Sequence, residues 1–113
     1  MNDADRIRLL HMLEVAQVTL TLMKGESRES LERDVKLSLA VTKALEIIGE
    51  AAGKVSKEVR DQFPQISWSG MIGMRNILIH AYFDVDRDEI WRTVNQDLSP
   101  LIAELEKILL DPQ

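Results

Sequence analysis

Apolar residues recur at three- and four-residue steps along most of this chain, and that spacing confines it to helices. Leu9, Met12, Leu13, Ala16, Leu20 and Met23 form one such stripe. Leu37, Ala40, Val41, Ala44, Leu45, Ile48 and Ala51 form a broader one. No long run alternates in the two-residue rhythm of a strand. With five Gly and three Pro in 113 residues, the sequence also lacks the turn residues that many short strands would need. The expected fold is all-α: an antiparallel bundle of four to six helices with short connections, in one domain over residues 1–113.

Punctuation residues place the elements. A first helix is expected from Asp3 to Lys24, stopped by Gly25. Ser27 can cap the next segment. A long helix follows from about Leu31 to Ala52, with a break near Arg33-Asp34 and an end at Gly53. Ser56 can cap a short turn through Phe63, which Pro64 closes. The next helix spans Trp68 to about Ala81, and Phe83-Asp84-Val85 connects onward. Asp86 with Glu89 resembles a capping box. The last helix covers Arg87 to Leu110, with Ser99-Pro100 as the place where it kinks or restarts.

Charge and composition narrow the function. Lys plus Arg is 14 and Asp plus Glu is 19, a net charge of −5, which excludes a generally basic nucleic-acid coat but not a local basic site. The absence of cysteine removes disulfides, Cys-ligated zinc and thiolate catalysis. With His11 and His80 as its two histidines, the chain is not expected to hold a metal or other cofactor. No apolar run reaches the ~20 residues that span a bilayer. The acidic start Met1-Asn2-Asp3-Ala4-Asp5 has no signal-peptide pattern, so a cytoplasmic protein is expected.

One segment concentrates chemistry: Gly70-Met71-Ile72-Gly73-Met74-Arg75-Asn76-Ile77-Leu78-Ile79-His80-Ala81-Tyr82. On a helix, Asn76 and His80 lie four apart on one face, and Gly73 falls within about 20° of His80. Gly73 opens that face to a phosphate or another helix. The rest of the helix is apolar and calls for burial, so a cation, an amide and an imidazole on it need either structural partners or a cleft. Singly, each residue has a plain structural role open to it. Arg75 could be an ion-pair anchor for Glu46 or Glu50, Tyr82 could pack, and His11 needs no function at all. Together, Arg75, Asn76, His80 and Tyr82 suit phosphodiester chemistry: His80 as a base near neutral pH, Arg75 as a two-point phosphate grip, Asn76 as an orienting or donating amide.

Arg75-Asn76-Ile77-Leu78-Ile79-His80 resembles the Arg-x4-His signature of HEPN domains, and Tyr82 extends it to the Arg-x4-His-x-Tyr form of the HepT-like group. Leu45-Glu46-Ile47-Ile48-Gly49-Glu50-Ala51 and His80-Ala81-Tyr82-Phe83-Asp84-Val85-Asp86 also look like that family's segments, in order and at its spacing. Ser67-Trp68-Ser69 departs from the Pro-Trp-Arg expected there, so one basic residue near the site entrance is missing. The resemblance implies a HEPN-like homodimer in which two motifs face one cleft. It also implies a metal-independent endoribonuclease toxin with catalytic Arg75, Asn76 and His80. Its implied partners are RNA and a minimal nucleotidyltransferase antitoxin that silences the toxin by adding AMP to Tyr82. Two other roles stay open at this point. One is a non-catalytic HEPN module that binds a nucleotidyltransferase partner or a nucleotide, which the acidic net charge suits. The other is a structural helical dimer with Arg75 and His80 as interface anchors.

Overall fold

Asn2 starts the first helix by accepting the Asp5 amide on its side-chain oxygen at 2.7 Å, satisfying one of the N–H groups a helix start leaves unpaired. In the computed structural model, which describes residues 1–80 and 86–110 (for residues 74 and 76–80 the backbone alone), α1 runs Asp3–Met23. Gly25 follows it at φ +76°, the left-handed conformation that ends a helix at low steric cost. Ser27 and Ser30 then bond reciprocally, each side-chain oxygen accepting from the other's amide, and α2 spans Ser30–Arg33.

The expected break at Arg33-Asp34 is present. Asp34 adopts extended backbone (φ −107°, ψ 97°), and its carboxylate accepts the Leu37 amide to start α3, Val35–Lys54. This helix runs past Gly53, where an end was expected. Gly53 keeps a negative φ, and the stop comes instead from Val55, which is buried, and from Ser56. The Ser56 amide and hydroxyl both donate to the Asp5 carboxylate, at 2.9 and 2.7 Å. Ser56 also caps α4, Lys57–Gln62, by accepting the Val59 amide.

Helix α5 spans Trp68–His80. Its expected end at Ala81 and the connector 83–85 lie outside the described residues. Asp86 caps α6, Arg87–Arg92, by accepting the Glu89 amide at 3.0 Å. The irregularity expected at Ser99-Pro100 sits just before it, as a π turn over Thr93–Asp97 that leads into α7, Leu98–Leu110. Pro100 has no N–H for the Gln96 carbonyl and its ring crowds that oxygen, so the turn ahead of it widens to five-residue bonding.

Among the described residues the fold is helical throughout, as expected. Helix α1 packs on α3 and α7, and α3 packs in turn on α5. Leu9, Met12 and Ala16 of α1, Val41, Leu45, Ile48 and Ala52 of α3, and Leu98 and Leu105 of α7 are fully covered. Both expected stripes face this core, except that Ala40 is exposed and Leu20 and Ala51 are half-buried. Trp68 and Met71 bring the start of α5 into the same core. No described helix is long and apolar enough to cross a membrane.

Candidate active site

Arg75 is positioned by a glycine on the neighbouring helix. A Cβ at Gly49 of α3 would stand 2.6 Å from the Arg75 Cβ and 2.7 Å from the Met71 carbonyl oxygen, closer than side-chain carbons approach one another. At Gly53 the nearest atom of α5 is Ile72 Cγ1, at 3.8 Å. The order of these contacts makes α3 and α5 antiparallel, with Gly49 facing the Met71 carbonyl and the root of the Arg75 side chain. A glycine inside a helix costs roughly 1 kcal/mol against alanine, so it needs a packing reason, and this crossing supplies it.

The guanidinium so rooted is half-buried. Its Nε is shielded from solvent and has no hydrogen-bond partner among the described residues. The two carboxylates that could have paired with it lie against lysines instead. Glu46 pairs with Lys43 at 3.5 Å, and Glu50 with Lys54 at 4.0 Å. Backbone packing against Gly49, rather than either of these ion pairs, fixes where Arg75 starts. A buried N–H donor without an acceptor is costly.

Gly73 behaves differently from Gly49. A Cβ there meets nothing within 4 Å, so the face it opens is vacant, while the close helix approach falls on Gly49 instead. Positions 76 and 80 continue the Gly73 face by helical register. The side chains of Asn76 and His80, and all of Tyr82, lie outside the described residues. Thr42 stands roughly two turns before Gly49 on the same face of α3, and antiparallel packing sets it towards the far end of α5. Its hydroxyl is buried without a partner among the described residues. His11 is exposed on α1, in a shallow groove with Ile7, Arg8 and Ile47. Among the described residues no three His, Cys, Asp or Glu side chains group as metal ligands.

Sequence reasoning passed over Arg60. It shares with Arg75 a buried Nε with no partner among the described residues, and it lines an open surface groove that reaches Gly73. No periodicity marks it, because α4 is short and its approach to α5 depends on the intervening turn. In that turn the Trp68 indole N–H donates to the Phe63 carbonyl at 3.0 Å.

The chain is a helical bundle with an arginine rooted at a helix crossing and a histidine position five residues on. Residues 10–108 match the family described as "Ribonuclease HepT-like". The chain belongs to that family. Curated relatives agree. "Putative RNase MJ1380" of Methanocaldococcus jannaschii is 36% identical over 87% of this chain and 90% of its own. "Putative RNase TTE0752" of Caldanaerobacter subterraneus subsp. tengcongensis is 36% identical over 89% of this chain and 90% of its own. "Probable ribonuclease HepT" of Thermococcus cleftensis is 44% identical over 66% of this chain and 68% of its own. No solved structure matches the chain.

Proposed function

We propose that this protein is a metal-independent endoribonuclease toxin. Its single HEPN-like domain, residues 1–113, acts as a homodimer in which two Arg75-x4-His80 motifs share one cleft. Family membership and the names of the relatives support a ribonuclease. The observation that carries the site is Arg75: a half-buried guanidinium, fixed at its root by Gly49, whose Nε has no acceptor among the described residues.

The chemistry follows from the residue types. The His80 imidazole takes the proton of an RNA 2′-hydroxyl, and the 2′-oxygen attacks the adjacent phosphorus. Negative charge builds on the non-bridging oxygens, where Arg75 donates charge-assisted hydrogen bonds. Asn76 orients the imidazole or adds a donor. The bond from phosphorus to the 5′-oxygen breaks, and the second copy's imidazolium gives that oxygen its proton. The products are a 2′,3′-cyclic phosphate and a 5′-hydroxyl. One histidine per motif is thin for both acid and base work, and a shared cleft supplies two. A minimal nucleotidyltransferase that adds AMP to Tyr82 would silence the site by placing bulk and negative charge where a phosphodiester must sit.

The test is incubation of the purified protein with total RNA in EDTA, beside Arg75→Ala and His80→Ala, with product ends and intact protein mass determined. Cleavage that survives EDTA, leaves cyclic-phosphate ends and disappears in both variants is the expected result. No cleavage by unmodified, folded protein would favour a non-catalytic module that binds the nucleotidyltransferase or a nucleotide, a role the net charge of −5 suits.

A further inference from the structure

We infer that Arg60 forms a second phosphate subsite, holding the RNA strand beside the scissile position. The inference rests on the ribonuclease proposal above, and it names where the strand runs. Three observations lead to it.

The first is the state of Arg60. Arg28 and Arg92, by contrast, are each held by two carboxylates: Arg28 by Glu32 and Asp88, Arg92 by Glu89 and Asp97. Arg60 has its Nε buried with no acceptor among the described residues, as Arg75 does. The Nε is covered, while the terminal N–H groups make no hydrogen bond among the described residues and lie at the groove, where an anion would satisfy them.

The second is the space around it. The open groove is edged by Lys57, Arg60, Ser69 and Gly73, with Asp61 also on its rim and Trp68 and Ile72 among its apolar lining. Asp61 is already paired to Lys57, which offsets its charge on the rim. Gly73 leaves the floor bare, with nothing within 4 Å of where a Cβ would be. A nucleic-acid backbone can therefore come close to α5 there.

The third is register. Ser69, Gly73, Asn76 and His80 follow one another at four-, three- and four-residue steps, so their positions lie along one face of α5. From 73 to 80 the helix rises roughly 10 Å. A strand whose scissile phosphate sits at position 80 and which follows this face passes over Gly73 and meets Arg60. The chain has serine at 69, where its family resemblance calls for arginine. Arg60 supplies from α4 a cation to the same stretch of strand.

The experiment measures binding of a labelled single-stranded RNA to protein made non-cleaving by His80→Ala, at several salt concentrations. Arg60→Gln, Arg60→Lys and Gly73→Asp are each added to that background. Arg60→Gln should weaken binding by roughly tenfold and lower the salt slope by about 0.7, the value for one phosphate contact on a single strand. Arg60→Lys should recover part of both. Gly73→Asp, which projects a carboxylate into open space, should weaken binding with no loss of melting temperature. It decides the matter if Arg60→Gln fails to fold. In cleaving protein, the loss from Arg60→Gln should appear in KM rather than kcat. Arg60→Gln and Gly73→Asp variants that bind and cleave with unchanged KM and salt slope would overturn the subsite and leave the ribonuclease standing. If the parent protein neither binds nor cleaves any RNA, the ribonuclease proposal fails first and takes the subsite with it.

Discussion

Two glycines on facing helices have opposite energetics, although the sequence presents them alike. Gly49 lies where α3 and α5 touch backbone to backbone, and a methyl there would meet Arg75 Cβ at 2.6 Å and a carbonyl oxygen at 2.7 Å. Neither obstacle is the far end of a flexible side chain. Gly49→Ala gains roughly 1 kcal/mol of helix propensity but forces the helices apart, an overpacking cost of about 1–3 kcal/mol or more. The expected net result is destabilisation, with ribonuclease activity falling further than stability because Arg75 moves. Gly73→Ala meets nothing within 4 Å and should stabilise by up to about 1 kcal/mol. Urea denaturation of the two variants side by side checks the pair, and equal shifts would contradict the crossing. Arg75, Asn76, His80 and Tyr82 stand out in the sequence as candidates because polar residues interrupt an apolar helix and match a known spacing. Gly49 and Arg60 do not stand out, because their surroundings are set by which helix lies opposite, and no local pattern encodes that.

Between elements, the join that holds α1 to the α3–α4 corner is one carboxylate. Asp5 is almost fully buried at 2% exposure and accepts both the Ser56 amide and the Ser56 hydroxyl. The Ser56 amide, then its hydroxyl, lower the Asp5 pKa below its ordinary 3.8, against the opposing effect of burial, and Arg8 adds a smaller pull in the same direction. A carboxyl depressed in the folded state stabilises the fold above its unfolded value and loses that contribution as pH falls through the folded value. Stability of the parent protein should therefore decline as pH drops below about 4. Asp5→Asn should be less stable at neutral pH, and the gap between the two should narrow on acidification. Chemical denaturation from pH 7 to pH 3 measures it, and a constant gap would remove Asp5 from this role. Element ends were legible where a side chain caps its own helix, as Asp34, Ser56 and Asp86 do. The end of α3 was misplaced at Gly53 because the actual stop depends on Asp5, a residue distant in sequence. The π turn was likewise displaced from Pro100, because a proline perturbs the turn before it.

At the scale of the whole molecule, the all-helical class was legible from periodicity alone, since a three- and four-residue repeat cannot bury its stripe in any other way. The assembly is a separate matter, because one acidic chain with one motif must supply a proton acceptor, a proton donor and a phosphate grip. The proposed shared cleft between two copies makes a sharp prediction. Arg75→Ala homodimers keep both histidines but no motif arginine, and His80→Ala homodimers keep both arginines but no motif histidine. Both should be inactive. When the two variants are unfolded together, refolded as a mixture and assayed, dimers of one copy each regain one arginine and one histidine. If those residues face a common cleft, activity should reappear, well below the parent level but above either variant alone. If each copy cuts RNA with its own motif, the mixed dimer still separates the arginine from the histidine, and no activity returns. Recovery that rises and falls with the proportion of mixed dimer, followed by native mass measurement of tagged and untagged copies, would tie the chemistry to the pair rather than to the single chain.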